Sequence, residues 1–599
     1  MKKNLYIAFL FLCLQLVSFA QDSVRINVYS SDFFLFDKQT KSNFLELDTL
    51  QNNLPNYMPR NRIGSIGVPD YSLLLSNKEY DLGPLWFRSG YDNSAFGLQE
   101  QNYFSNKKIA TSLFGAAGTK KEQFLKLSHV QNVNEDLNFT LKLNRITSEN
   151  FYQYQQSFVN NVLFSSHYLS KKSRVGYLAK FSFDRFKHAE NGGLTSDTSI
   201  VEDALTNKVL LPVYLKSAKR DYNMMTGEAK LFFRLNKDSL SHKGHYLNLG
   251  AVGSITKTEY NDDASAVFYD TAYQNQTVTH DSVRFSKFIP TAGYSFVAKR
   301  FSASIGAKYD ISRFADMDTS RVYESAILDQ QLAWISSDSN LIVKEKFNYI
   351  VSGFNSGNYK AVLDVKYNLN FLRSAIALKL QSEQRSQDLF FKYFNSNNYY
   401  WSNQFNANQS NLLDINISSQ KLRLQLGACV NAQNNITILA ANKQPVQLSA
   451  AATALRVYLN HTLKVYRFYL VNKLNYQSSN SSAWALPSIY TQHQLYYQHH
   501  VKKNGMILQA GVQAEYIGAM DLIDYNPALN SFVMDYATKQ GGNYIFADVF
   551  FTLRFKEVSF FFRTEHLNQG FSGTNFTLLQ NYYQRDRAFR LGLNWNFRD

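Results

Sequence analysis

The chain has 599 residues, with 47 Phe, 39 Tyr and 5 Trp but only 9 Pro, and 18% of residues are charged. That mix is too polar for a bundle of transmembrane helices, each needing about 20 apolar residues, and too aromatic for a disordered chain. The formal charge of +16 is spread without a basic run, which argues against a nucleic-acid partner.

Residues 1–20 read as a secretory leader. Lys2 and Lys3 precede an apolar run from Tyr6 to Val17, and Ser18-Phe19-Ala20 sets cleavage between Ala20 and Gln21. Leu12 precedes Cys13 where a lipoprotein signal wants a small residue, so lipidation is not expected. Cleavage leaves one cysteine, Cys429, and hence no internal disulfide. No later stretch offers 18 consecutive apolar residues. A membrane span would then have to be a closed barrel, whose backbone groups are satisfied between strands.

Residues 21–107 form a second unit, less periodic and marked by Leu54-Pro55, Met58-Pro59, Val68-Pro69 and Gly83-Pro84. They read as a periplasmic lead-in, with partial occupation of a lumen left open. Residues 108–599 read as the barrel.

From about residue 108 the chain alternates. Leu137, Phe139, Leu141 and Leu143 oppose Asn138, Thr140, Lys142 and Asn144. The pattern recurs from Val175 to Asp184, Phe301 to Asp310, Leu422 to Ala428 and Leu508 to Tyr516, with the charges on one face each time. In the last segment Phe589, Leu591, Leu593, Trp595 and Phe597 form an apolar face with an aromatic at each end, as a lipid-facing strand requires. Phe232 and the run Phe560-Phe561-Phe562 break the alternation, and Gln330 spoils the apolar face of 325–336.

Strands are expected near 108–118, 122–131, 136–147, 158–169, 173–186, 221–236, 243–260, 284–298, 301–313, 325–336 and 341–354. They continue near 358–370, 372–386, 399–417, 420–432, 448–460, 464–477, 488–502, 505–517, 542–555, 557–566 and 586–598. The expected fold is an all-β, transmembrane, antiparallel up-and-down β-barrel of about 22 strands, within a range of 18–22. With the N-terminus periplasmic, 170–172, 299–300, 418–419, 503–504 and 556 are short inner turns. The long connections 187–220, 261–283, 433–447, 518–541 and 567–585 then all fall outside, against two short ones at 119–121 and 355–357.

The region from Ile63 to Gly193 resembles the putative porin family of Bacteroidetes outer membranes. The resemblance rests on Ile63-Gly64-Ser65-Ile66-Gly67-Val68-Pro69, Leu113-Phe114-Gly115-Ala116-Ala117-Gly118, Lys121 to Leu125 with His129 to Asn132, and Asn191-Gly192-Gly193. It implies an outer-membrane location, lipid around the barrel and insertion by the barrel-assembly machinery. Phe597 is followed by Arg598 and Asp599, a departure from the common terminal aromatic.

Chemical sites do not emerge. His499 and His500 point to opposite faces of a strand and cannot share a metal. His280-Asp281-Ser282 has the letters of a triad, but neighbours on an extended chain cannot converge. Asp262-Asp263 lacks calcium-loop spacing and reads as solvated charge. Asn138-Phe139-Thr140 and Asn575-Phe576-Thr577 read as chance glycosylation matches, and Cys429 as an inert lumen thiol. No cofactor, metal or enzymatic activity is expected.

Lys142, Lys180, Asp184, Lys308, Asp310, Arg423, Glu515 and Arg590 are the expected pore-lining charges. A ring this wide encloses water unless it is plugged. The expected function is passive diffusion of small hydrophilic solutes, with a mild anion preference from the net charge. The alternatives are a plugged structural or secretion-linked barrel that docks partners, and a plugged energy-coupled transporter.

Overall fold

Each alternating segment has one face that hydrocarbon accepts and one that it does not, and only a closed ring hides every second face from lipid. The computed structural model describes residues 26–30, 32, 35, 40–42, 59–75, 81–86, 90–91, 94–99, 102–105, 109–170, 174–195, 208–236, 243–263, 268–501, 505–534, 540–571 and 577–598. In it, 22 antiparallel strands close into one barrel, each paired with its sequence neighbours. The ring closes where Ala588–Arg598 pairs with Ala110–Gly118, from Arg590 opposite Gly118 to Arg598 opposite Ala110. The leader, its Ala20–Gln21 junction and Asn575 lie outside the described residues.

The strand count agrees with the alternation. The segment with the displaced start is 399–417, whose strand begins only at Asn408. Tyr400–Ser402 pairs instead with Tyr393–Asn395 in an external hairpin, because Trp401 is buried there and donates its indole N–H to the Phe390 carbonyl at 2.6 Å. Ser320–Ile335 is a full strand despite Gln330, with a register shift between Ala326 and Ile327.

Connections at one end are short, such as 466–467 and 556–557, while 190–218, 386–407, 518–543 and 566–587 crowd the other. The crowded end is the external one by the usual barrel asymmetry. The lipid-facing band is visible on single strands. Leu247, Leu249 and Ile255 are exposed on one face of Gly244–Asp262, and Lys257 continues that face above them. On the last strand Phe589 and Leu591 are exposed, Leu593, Trp595 and Phe597 share their face, and Arg590, Asn594 and Asn596 are buried.

One outward row is polar. His461 is opposite Asn472, and Asn472 is opposite His493. The exposed Leu463, Leu474 and Leu495 share their strand faces. His493 Nδ1 and Asn472 Oδ1 lie 2.7 Å apart, which offsets part of the cost of polar groups in hydrocarbon.

Candidate functional site

The inward residues that break alternation lead into the lumen. Phe232 is buried beside Tyr103, and Phe561 stacks on Phe114 at 5.6 Å in a cluster with Ile66, Tyr91 and Ala95. Tyr103, Ile66, Tyr91 and Ala95 all belong to the segment before the barrel. A water-filled lumen would not bury aromatics; a lumen packed with chain does.

Hydrogen bonds from the connection 149–156 and from strand residues latch that segment to the barrel at several points. Ser65 N donates to Asn150 Oδ1 at 2.7 Å, Gln155 Nε2 donates to the Ile63 carbonyl at 2.6 Å, and Ser157 Oγ donates to the Ile66 carbonyl at 2.6 Å. Across the ring, Gln477 receives Leu75 N at 2.8 Å and donates to the Leu73 carbonyl at 2.9 Å. Asp184, fully buried, accepts Phe96 N and Gly97 N at 2.8 and 2.9 Å. The Gly-rich motif earns its glycines here. Gly67 has φ +69°, and a Cβ would come within 3.0 Å of Ser157. Gly193, in the first long external loop, has φ +82° and would meet Asn581 at 2.8 Å.

Beside the seam lies a buried ion network. Arg590 donates through Nε to Glu122 at 2.7 Å and also pairs with Glu565. Arg563 pairs with Asp548 at 2.5 Å, and Arg585 with Glu515 at 3.1 Å. Ser65 joins the network, donating its hydroxyl to Glu122. The segment before the barrel is thereby tied to the strands that close the ring.

Described residues of three external loops pack together at the outer end of the barrel. Leu389, Phe390, Phe394, Tyr399 and Trp401 from loop 386–407 cluster with Leu215, Ala528, Leu529 and Val533 from two other loops. Trp86, from the segment before the barrel, stacks on Phe314 at 4.8 Å and meets Phe390 edge-on at 5.8 Å. Below this roof a cavity of about 740 Å³ remains against the arc from Val175–Ala189 to Tyr359–Leu369. Its wall carries Lys180, Lys230, Lys287, Lys308, Lys346 and Lys360. Lys180 pairs with Glu228 at 2.9 Å, Lys287 with Asp310 at 3.0 Å and Lys308 with Asp329 at 2.8 Å. Lys346 instead reaches Asp32, before the barrel, at 2.6 Å.

The expected pore-lining charges separate into groups. Lys180 and Lys308 line the chamber, and Asp310 is buried behind it. Lys142 sits 4.3 Å over the Phe104 ring. Asp184 is a latch, and Glu515 and Arg590 belong to the ion network. Arg423 is a correction: it lies exposed in the turn between Asn408–Ser419 and Leu424–Asn434, with φ +51°, not on an inner strand face. Turn residues leave the period-two register, so alternation could not place it. Asp262 is another: it is buried and accepts Ser217 Oγ at 2.6 Å, where solvated charge was expected. Cys429 is buried on the inward face opposite Asp414 and Arg456. Among the described residues no group of three His, Cys, Asp or Glu is placed to hold a metal.

Sequence reasoning missed Gln477, Asn150, Gln155 and Ser157. Gln477 and Ser157 are polar strand residues whose signature is the same whether they face water or a backbone group, and Asn150 and Gln155 lie in the connection 149–156, where alternation assigns no face.

His566 gives the external loops a pH response. Its ring accepts from Tyr544 at 2.6 Å through Nε2 and donates through Nδ1 to the Arg585 carbonyl at 2.7 Å, an arrangement for the neutral form. Burial, then the Arg585 and Lys208 charges, hold it down to about 4, against a backbone hydrogen bond that raises it. The unfolded loop takes up its proton first as pH falls below about 6.5, so docking weakens from there down to about 4, by about 3 kcal/mol in all. Protection factors over 577–587, taken from exchange rates corrected for the intrinsic pH dependence of amide exchange, should therefore be lower at pH 4.5 than at pH 7.5, and His566→Gln should flatten that difference. Equal pH dependence in the variant would remove His566 from the account.

The sequence model of the family described as "Putative porin" matches residues 30–599. A search of curated proteins finds no match. Among solved structures, the chain is similar to the FrpB iron transporter from Neisseria meningitidis, with TM-score 0.57, 9% identity, and 82% of this chain and 83% of that one covered. It is also similar to the copper transporter OprC, with TM-score 0.55, 10% identity, and coverage of 82% and 80%. The ferric-catecholate import receptor Fiu from E. coli K12 gives TM-score 0.53, 11% identity, and coverage of 86% and 85%. At these identities the likeness is one of fold.

Proposed function

We propose that this chain, which belongs to the Putative porin family, is an outer-membrane passage for small anionic solutes held shut by its own N-terminal segment and external loops. The observation that carries this reading is the set of latches from Asn150, Gln155, Ser157, Asp184 and Gln477 onto residues 63–97. Diffusion through a permanently open bore, the expectation from alternation alone, gives way to a gated path. The lysine-lined chamber supplies the charge preference, because a cation-lined, low-dielectric passage concentrates anions. Surrounding lipid and the barrel-assembly machinery are its partners in the membrane. No reaction chemistry is part of the reading.

Single-channel conductance in a planar bilayer tests it. The full mature chain should be silent or nearly so at rest, and a chain lacking residues 21–105 should conduct steadily with anion-selective reversal potentials. Steady conductance from the full chain would restore the open porin. Silence from both would favour the scaffold, and cation selectivity would remove the chamber from the path.

A further inference from the structure

The chamber wall and the segment that fills the lumen meet in a particular way. Six wall lysines line the cavity, against two wall carboxylates, Glu228 and Asp329. Two more lining carboxylates, Asp32 and Asp81, come from the N-terminal segment. Asp32 bonds Lys346 at 2.6 Å and also feels Lys308 and Lys230. Burial pushes the Asp32 carboxyl up, and those lysines more than offset it, bringing it to about 2. Asp81 sits in the field of Lys287, Lys308, Lys346 and Lys360, which holds its carboxyl low against burial. Lys308 and Lys346 thus serve both groups. Two carboxylates from distant points of the segment converge on one set of lysines across open space.

We propose that this lysine set is a binding site for a small multivalent organic anion, and that Asp32 and Asp81 occupy it as internal competitors. The inference rests on the gated-passage reading and adds its substrate class and its release device. An incoming anion with two or more charges replaces what the segment's carboxylates provide. Anion binding and undocking of the segment are then coupled, since both use Lys308 and Lys346. A neutral solute has no differential affinity for the two states and shifts nothing. Lysine ammonium groups act as point charges and accept carboxylate or phosphate alike. The shared chemistry is therefore the charge number, and the source is decided by the probes.

Calorimetric titration of the full chain with citrate, glucose 6-phosphate and glucose tests the site. Asp32→Asn with Asp81→Asn should bind at least one of the anions ten-fold or more tighter than the unsubstituted chain, with affinity falling as salt rises. Citrate alone would mark a polycarboxylate site, and glucose 6-phosphate alone a phosphate-ester site. Adding Lys308→Gln and Lys346→Gln should abolish the gain while the barrel keeps its heat-modifiable mobility in gels. The proposal is overturned if the Asp variant gains nothing, if the gain survives the Lys substitutions, or if glucose binds equally. Conductance of the truncated chain decides the passage separately. Conduction without anion binding would sink the site alone, and silence with anion binding would sink the passage alone.

Discussion

Arg590→Ala is expected to destabilise the barrel by about 3–5 kcal/mol, because it strands two buried carboxylates. Arg590 is 6% exposed, and its partners Glu122 and Glu565 are each 1% exposed. They stand on Glu122–Asn132 and Val558–Glu565, on either side of the seam. Removing the guanidinium leaves Glu565 with the 3.6 Å contact to Arg563 and the field of Arg585, and leaves Glu122 with Ser65. The cost comes from uncompensated charge and not from the value of the pair itself. The triple variant Arg590→Met, Glu122→Gln, Glu565→Gln should accordingly recover much of the loss. Urea unfolding of the folded barrel in vesicles, followed by tryptophan fluorescence, reads both. An unchanged midpoint in Arg590→Ala would show that the network adds nothing to closure.

The second large effect is on the gate. Asp184→Ala combined with Gln477→Ala should turn a silent full-length chain into a conducting one. The two residues stand on opposite sides of the ring, on Val175–Ala189 and Phe468–Ser479. Asp184 satisfies two backbone N–H groups of the segment, and Gln477 satisfies one N–H and one carbonyl. Losing the partner of buried backbone groups costs about 3 kcal/mol per latch. Together that shifts the docking equilibrium by a factor of roughly 10⁴. Neither residue lines the seam, so the barrel itself should unfold at its usual midpoint. Conductance as low as that of the unsubstituted chain, with a normal barrel, would show that the external loops alone keep the passage shut.

The two predictions test features of different legibility. Strand number, lipid face and the outward Phe589–Phe597 stripe were readable, because each strand's faces follow from its own residues with a period of two. Even the failures of alternation carried information. Phe232 and Phe561 stand out as apolar side chains on an inward face, and each marks a place where chain fills the lumen. Arg423 was misplaced for the converse reason, since it sits one residue outside the strand whose register was extended to it.

By itself, the amino-acid sequence indicated a closed antiparallel ring of about 22 strands, within a range of 18–22, and an apolar and a polar face on each strand, since these depend only on local periodicity and on the lengths of connections; the ring has 22. The tertiary structure alone decided that the lumen is occupied and where. Leu73 meets Gln477 across 404 positions, Ser65 meets Arg590 across 525, and Lys346 meets Asp32 across 314. An inward Gln, Asp or Lys satisfies the pattern equally well facing water, a backbone amide or a carboxylate. Only closure of the ring around the N-terminal segment determines which of these it meets.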